Sequence, residues 1–514
     1  STHFPALHPG AMVPSKGGKV DKVDGQNASL PPKVKPWLGE AEAEAKAFPR
    51  EYLRFEICDF HCKGLSKTVP LRHRDENVYM YSGALAYGAN QRVMVIPEEI
   101  GQSGCPNAKL VPDWTTEQVL PWACRSDKGI SVRRVYCEME GLKCGPRALC
   151  GRLLAELKAY EGKRMELLVG GELEFVMASK TSTGDWEPLF KEPEIFTTLQ
   201  GTKVMDFCYD LEHQMNHVAV DILTMNTEYG EGQVEITFAP KFGIEAADMT
   251  ATFRLGTKEL AQQQGLRATF MAKPFGISGV GNGGHMNFSI WEPTFATREG
   301  GASTSIISKI TAGKKNVFHS SEDAQGLSST ARSFLAGILA HAPALEALCS
   351  PTVPCYCRHG NWAPTVANWG FDDRTACVRV KANQRGPPGS CYMELRMPSA
   401  AANPYLVMAG LIAAGLDGLQ QNMNLPAERQ SKEDGALVLP TSLPAALEAL
   451  EADDYMSSKL GKRFVRWYVD IKRAELKFLD EKLNPPRDAT TSAGSKPSDA
   501  EISQAWRELY MEFG

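Results

Sequence analysis

Alternating apolar and polar positions predict several short strands along the chain. In the stretch GGELEFVMA, the apolar Leu173, Phe175 and Met177 alternate with the acidic Glu172 and Glu174. Side chains two positions apart in a strand point to the same face, so the apolar three would pack inward and the two carboxylates would lie together on the other side. Such a pair requires either a solvated face or a positive group close by.

Three further segments carry acid in the same arrangement. The stretch ILTMNTEYGEGQVEITF holds Glu228 beside a glycine-rich turn and then Glu235, while YMELRMP alternates Glu394 and Arg396 with apolar residues. Each glutamate taken singly is typical of a solvated sheet face. If the strands pair in one sheet, however, the carboxylates share a surface and repel one another. A divalent cation would relieve that repulsion, which favours a Mg²⁺ or Mn²⁺ site suited to phosphoryl transfer.

The rest of the chain divides by turn residues and helical periodicity. Residues 1–48 are rich in Pro, Gly, Lys and Ala, which predicts a disordered arm. A hairpin over Tyr52 to Leu71 opens a β-rich segment that ends near residue 140. Three helices are predicted from PRALCGRLLAELKAY, from ADMTATFRLGTKELAQQQG, ending at Gly265, and from TARSFLAGILAHA, stopped by Pro343.

The C-terminal end follows a different pattern. The stretch NPPRDATTSAGSKPS predicts a flexible linker. A short helix should follow it, because Ser498 and Glu501 have the spacing of a capping box. Linker and helix together occupy residues 483–514.

Composition and charge exclude several classes of protein. The net charge of −5, without a long basic block, argues against nucleic-acid and anionic-membrane partners. The most apolar segment, Tyr405 to Leu416, is too short to span a membrane, and STHFPALHPG lacks an apolar signal core. Thirteen irregularly spaced cysteines favour reduced structural thiols. We therefore expect a soluble, cytoplasmic protein.

Other candidate chemistry is weaker. Five glycines crowd the loop before His285 in FGISGVGNGGH, but the pattern fits neither a Walker loop nor a Rossmann fingerprint. Two roles remain open for His285: it could be a metal ligand or a hydrogen-bonded core residue. His213 and His217 are spaced i and i+4, yet Gln214 stands where a zinc protease needs glutamate, so we interpret them as a surface pair. Arginines in the last third could bind carboxylate or phosphate, or form surface ion pairs.

Taken in order, the motifs ELE, NTEYGEGQVE, GNGGH, DRTACVR and MELRMPSAAANPYL resemble glutamine synthetase of the type I, dodecameric class. The similarity runs from about Arg54 to Leu479, and within the family the stretch GQVEITFAPKFGIEAADMTATFRLGTKELA resembles the lengsin branch, some of whose members are thought to lack catalysis. The resemblance implies an α+β fold: an N-terminal β-grasp domain over residues 49–140 and a catalytic α+β domain with a curved antiparallel sheet over residues 141–482.

The resemblance also implies the ligands of the site. All metal-ligand positions of the family hold the expected residue types: Glu174, Glu228 and Glu235 for one ion, and Glu172, His285 and Glu394 for a second. The other matched positions are catalytic Arg374, Arg379 and Arg396, substrate-binding Arg358, Trp362 and Gly281, and nucleotide-binding His285, Asn287 and Ser289. The expected cofactors are ATP and two to three Mg²⁺ or Mn²⁺ ions per site.

Three positions depart from the family pattern. GNWAP places Trp362 where the flap motif GYEAP has a glutamate, Val280 replaces an asparagine of the glutamate-binding loop, and Tyr392 replaces an arginine. Loss of the flap carboxylate removes both an ammonium site and a candidate base. An indole can instead stack on a larger amine through a cation–π contact.

These observations support two hypotheses. The first is an ATP-dependent ligase that joins glutamate, or a similar acid, to an amine other than ammonia through a γ-glutamyl phosphate. The second is a non-catalytic, lengsin-like structural protein, or a nucleotide or amino-acid sensor. In either case the family implies a homo-oligomer of stacked rings, a dodecamer, with sites between subunits.

Overall fold

Two sheets and the helices around them account for the part of the chain that the computed structural model describes, residues 49–192, 194–294, 305–382, 391–484 and 496–511. The predicted arm and most of the predicted linker lie outside the described residues. The described residues from 50 onward form one compact unit. The division into two domains at residue 140 stays a prediction.

The first sheet uses residues 50–139. Its strands are β1 (Arg50–Cys58), β2 (Gly64–Pro70), β3 (Tyr79–Tyr81), β4 (Asn107–Pro112), β5 (Gln118–Val119) and β6 (Ile130–Met139). The order is β2-β1-β6-β4-β3, with β5 on β6, and the central pair β1 and β6 is parallel. Strands β1 and β2 confirm the predicted hairpin, in which Tyr52 lies opposite Pro70.

The second sheet positions the acidic residues. Its strands are β7 (Glu166–Lys180), β8 (Trp186–Pro188), β9 (Ile222–Thr227), β10 (Gln233–Phe238), β11 (Lys241–Phe242), β12 (Arg267–Thr269), β13 (Gly284–Pro293), β14 (Lys314–Asn316), β15 (Trp369–Phe371), β16 (Val378–Ala382) and β17 (Cys391–Leu395). The order is β15-β16-β17-β13-β7-β10-β9, and the shorter strands pair with β7 or β13. Only β15 and β16 are parallel among these described pairs. The mixture of helices with a largely antiparallel sheet confirms the predicted α+β class.

The helices of the described residues cover the sheets. They are α1 (Glu98–Gln102), α2 (Pro146–Ala159), α3 (Thr198–Gly201), α4 (Met205–Asn216), α5 (Ile244–Gln263), α6 (Ile306–Ile310), α7 (Ser329–Ala340), α8 (Ala342–Cys349), α9 (Pro404–Gln420), α10 (Leu443–Ala452), α11 (Asp454–Leu460), α12 (Lys462–Leu483) and α13 (Asp499–Tyr510).

The predicted helices are confirmed, with shifted ends. Helix α5 begins before the predicted start, and Gly265 follows its end with a positive φ of 73°, as expected for a C-terminal glycine. Helix α7 ends before Pro343, but that proline then lies in the first turn of α8, where its missing N–H costs nothing. Helix α13 has the predicted capping box of Ser498 and Glu501.

The apolar segment Tyr405 to Leu416 forms the core helix α9, which is buried from Pro404 to Leu419. It packs closely on α7, since a β-carbon at Gly418 would lie 2.8 Å from the Gly337 backbone nitrogen. No helix among the described residues is long and apolar enough to cross a membrane. All thirteen cysteines are described and unpaired.

Candidate active site

Strand pairing brings the predicted acidic residues to one face of the second sheet. Glu235 on β10 lies opposite Glu174 on β7, and Glu172 on β7 lies opposite His285 on β13. On the far side of β13, Glu394 on β17 lies opposite Asn287. The alternate residues of β7 pack into the core, as the alternation predicted. The carboxylates therefore share one surface.

Glu172, His285 and Glu394 form the tighter part of this surface, here called the histidine subsite. One ligand atom from each lies within 4.8 Å of the others. His285 Nδ1 is 3.3 Å from Glu172 Oε1 and 3.7 Å from Glu394 Oε1. Two carboxylate oxygens and an imidazole nitrogen at this separation fit a divalent cation such as Mn²⁺ or Mg²⁺. These are the three residues that the family resemblance assigned to a second ion.

Glu174, Glu228 and Glu235 form the neighbouring carboxylate subsite. Burial, together with the negative charges of Glu172 and Glu174, raises the pKa of Glu235 to about 9. Burial and Glu174 similarly raise the pKa of Glu228 to about 7. Elsewhere in the described chain no other three acidic, histidine or cysteine ligands approach as closely as those of the histidine subsite. The carboxylate subsite is thus more open, and its crowded negative charge suits a bound cation.

Hydrogen bonds orient Glu174. Its Oε2 accepts from the Gly283 backbone N–H at 2.9 Å and from Gln233 Nε2 at 2.7 Å. The same Gln233 amide donates to Asn282 Oδ1 at 3.0 Å. Gln233 is a supporting residue that sequence reasoning missed, although its position two residues before Glu235 places it on the same strand face.

Three cations surround the fully buried carboxylate of Glu394. Arg379 Nη1 is 3.1 Å and Lys381 Nζ 2.9 Å from its Oε2, while Arg396 contacts Oε1. Burial would raise the pKa of Glu394, but His285, Arg396 and Lys381 lower it to about 2. Glu394 is therefore ionised and held rigidly. Of the two alternatives for this strand, the solvated face is excluded, because its polar side meets these cations.

Arg358 lies at the junction of the two subsites. It is 2% exposed, and its Nη1 donates to the Met397 carbonyl at 3.3 Å while Nε has no partner in the described structure. A β-carbon at Gly283 would lie 2.9 Å from His285 Nε2 and 3.1 Å from Arg358 Nη2. Glycine at this position therefore leaves room for the buried guanidinium, whose unused N–H can bind an anion.

The glycine-rich loop is held from beneath by Lys273. Its Nζ donates to the carbonyls of Ser278, at 3.2 Å, and Gly279. Burial lowers the pKa of Lys273 to about 8. A β-carbon at Gly281 would lie 2.6 Å from the Ala272 carbonyl and 2.9 Å from Arg358 Cγ. Gly281 is thus packed against the junction, and Lys273 is a second residue that sequence reasoning missed.

The other predicted site residues differ in how far they are exposed to solvent. Trp362 is 57% exposed with a φ of 61°, and its carbonyl accepts from Arg396 Nη2 at 3.3 Å. Ser289 is buried, and its Oγ accepts from Trp291 Nε1 at 2.8 Å. Arg374 is exposed and forms no ion pair with the described residues. Its catalytic role stays a prediction.

The rival histidine pair is separate from this site. His213 and His217 lie exposed on and beside the end of α4, with ring centroids 5.1 Å apart and planes at 90°. They form a surface pair, as predicted.

Comparison with known proteins identifies the family of the chain. A family model described as the glutamine synthetase catalytic domain matches residues 143–487. The chain belongs to the glutamine synthetase family. It is 30% identical over 459 residues to lengsin of Rattus norvegicus, covering 83% of this chain and 72% of lengsin. It is 34% identical over 391 residues to glutamine synthetase of Methanocaldococcus jannaschii, covering 71% of this chain and 78% of the relative.

Solved structures agree in fold. A complex of GmaS with ADP has a TM-score of 0.68 and 26% sequence identity, over 86% of this chain and 97% of GmaS. A glutamine synthase homologue has a TM-score of 0.70 at 22% identity, over 90% of this chain and 99% of the homologue. The predicted family and fold are confirmed.

Proposed function

We propose that this chain is an ATP-dependent carboxylate–amine ligase, joining glutamate or a similar acid to an amine other than ammonia. The observation that carries the proposal is the two subsites on one sheet face with Arg358, Arg379 and Arg396 around them. Arginines beside clustered carboxylates suit a reaction in which negative charge is bound and transferred. The likeness to GmaS, solved with ADP, supports a ligase that uses a nucleotide.

The roles follow from the geometry of the chain's own side chains. Arg358, buried with an unused N–H beside Glu174, suits the α-carboxylate of the amino acid. Arg379 and Arg396, oriented by Glu394, suit the transferred phosphoryl group. Divalent ions held by the two subsites would supply charge neutralisation for the triphosphate and the acyl phosphate. The γ-carboxylate would attack the γ-phosphorus and release ADP, and the amine would then displace phosphate.

Trp362 supports an amine larger than ammonia. Its backbone φ of 61° is uncommon for a bulky residue, and its side chain stays largely exposed. Strained residues of this kind often belong to binding loops. An indole face attracts an organic ammonium through cation–π contact but offers no carboxylate to ammonium itself.

The test is phosphate release by the purified protein with Mg²⁺-ATP and glutamate, adding ammonia, methylamine, putrescine or spermidine in turn. We expect release that depends on one organic amine and falls at least about 100-fold in Glu174→Ala. Glu231→Ala, an exposed glutamate on the turn beside Glu228, is the matched control and should retain activity. No release with any amine would refute the ligase.

A non-catalytic structural role, or a nucleotide or amino-acid sensor, is the second candidate. The similarity to lengsin favours it, as do the substitutions at Trp362, Val280 and Tyr392. A sensor would bind ATP without phosphate release with every amine, whereas a structural protein would bind neither nucleotide nor amino acid.

We also propose a homo-oligomer of stacked rings, a dodecamer with sites between subunits. Members of the family are generally oligomeric, and large apolar side chains such as Phe196 and Leu199 are 67% and 69% exposed on the single chain. Light scattering should give the mass of about twelve chains. A stable monomer would contradict the proposal.

A further inference from the structure

Lys381 is a cation at the site to which neither the family motifs nor the comparisons give a role. It lies two residues after Arg379 on β16, and therefore on the same strand face, opposite Tyr392 of β17. Its Nζ is 2.9 Å from Glu394 Oε2, 3.5 Å from Asn287 Oδ1 and 5.2 Å from the centroid of the Tyr392 ring. The side chain is 22% exposed, so it is fixed at one end of the site yet open to solvent.

The strand register shows at which end of the site Lys381 lies. Along β13, the residues His285, Asn287 and Ser289 share one face and run away from the junction at Arg358. Asn287 is level with Glu394, and one step further along the sheet Tyr392 is level with Lys381. Lys381 thus lies beyond the histidine subsite, on the side where the nucleotide-binding residues are predicted.

Neutralising Glu394 does not require Lys381. The two oxygens of Glu394 already have a guanidinium each, Arg396 at Oε1 and Arg379 at Oε2. Arg379 is also bound by Asp372, which accepts from its Nε and Nη2, and one N–H on each terminal nitrogen of Arg379 is left for a ligand. Lys381 has no carboxylate other than Glu394 among its described partners. An ammonium has three N–H donors, so Lys381 retains capacity for a further acceptor.

We propose that Lys381 binds a phosphate group of the nucleotide, with Tyr392 limiting the directions its side chain can take. The inference rests on the proposed nucleotide-dependent function and adds a residue to that site. A compact ammonium beside a metal-ligating carboxylate is a suitable partner for a polyphosphate, whose oxygens can accept from the ammonium while a cation held by the carboxylate would offset the remaining negative charge. Arginine at this position would preserve the interaction, whereas an uncharged side chain of similar length would remove it.

The test measures ADP binding by titration calorimetry, with Mg²⁺ and separately with EDTA, in the absence of acid and amine. Lys381→Met should bind ADP about 10- to 100-fold more weakly than the wild type in both conditions. Lys381→Arg should stay within a few fold of the wild type, and adenosine affinity should be unchanged in every variant. Lys432→Met, at an exposed lysine in the loop after α9, is the matched control.

Each other outcome overturns the inference in a distinguishable way. Equal ADP affinity in wild type and Lys381→Met refutes the phosphate contact and leaves the proposed function intact. Equal loss of ADP and adenosine affinity shows that Lys381 only maintains the fold. Tighter Mn²⁺ binding by Lys381→Met without a change for ADP shows that it is a counter-ion of Glu394. A wild type that binds no ADP refutes the proposed function, and the inference with it.

Discussion

Among the described residues, the ion pair between Lys472 and Glu475 on α12 is the most deeply buried charge contact away from the site. Both side chains are 0% exposed, with Lys472 Nζ 3.1 Å from Glu475 Oε2. Glu475 Oε1 accepts from the Ala89 backbone N–H at 2.8 Å and lies 2.7 Å from His61 Nε2. Glu475 therefore joins α12 to the loop of the first hairpin, through His61, and to the segment after β3, through Ala89. We predict that Glu475→Gln destabilises the protein substantially.

The size of the effect follows from the pKa of Glu475. Burial alone would raise it, but Lys472 and His61 lower it from 4.5 to about 2. That difference corresponds to about 3 kcal/mol of folding free energy, the lower end of what breaking a buried ion pair costs. Because the folded-state pKa is depressed, this stabilisation is complete above pH 4.5 and is lost as the pH falls towards 2.

Urea denaturation followed by tryptophan fluorescence measures the difference, with Trp467 on the same helix as a reporter. Glu481→Gln is the control, since its partner Lys477 is 3.7 Å away and the two are 77% and 60% exposed. Exposed pairs contribute little, so the control should match the wild type. Equal midpoints for Glu475→Gln and wild type at neutral pH, or a gap that does not shrink below pH 4.5, would refute the reasoning.

Two further predictions concern positions chosen for their geometry. Gly283→Ala would place a β-carbon 2.9 Å from His285 Nε2, so the imidazole must move, and calorimetry should show Mn²⁺ affinity at least about tenfold weaker in a folded protein. The second prediction concerns His341, whose ring nitrogens lie 2.6 Å from Asp453 Oδ2 and 2.9 Å from Asp417 Oδ2. Burial lowers the pKa of His341, but the hydrogen bonds to these two carboxylates raise it above 6.5 overall. The stabilisation of the folded protein by protonated His341 is present below pH 6.5 and is lost as the pH rises through the folded-state pKa. Asp417→Asn should therefore make the urea midpoint less dependent on pH in this range.

Sequence patterns predicted those features of the fold that depend on neighbouring residues. The period of two in GGELEFVMA and QVEITF predicted strands with one acidic face, and Glu172, Glu174 and Glu235 lie on that face. Turn and capping residues likewise predicted the ends of helices, because they act within one turn. The parallel pairing of β1 with β6 was not predictable, since it joins segments about eighty residues apart and depends on the whole sheet.

The surroundings of Glu394 were likewise not predictable from its own segment. YMELRMP alternates like a strand with one solvated face, but β16 and β13 flank it and bring cations to Glu394. Which strands are neighbours is set by packing of the complete sheet, so a buried charge cluster is invisible in one segment. Lys381 had a weak local signal, its position two residues after Arg379, which places both on one face.

The two subsites differ in the charges that surround their carboxylates. Glu394 is surrounded by positive charge and has a pKa of about 2, whereas Glu235 and Glu228 face other carboxylates and have pKa values of about 9 and 7. The histidine subsite is therefore compensated by the chain's own cations, while at neutral pH the carboxylate subsite keeps a proton on Glu235 that a bound cation would displace. Arg358 stands between them with an unused N–H. A substrate bound at that junction would meet positive charge on one side and a cation-binding surface on the other, and the proposed phosphoryl transfer to a carboxylate would use both to stabilise its developing charge.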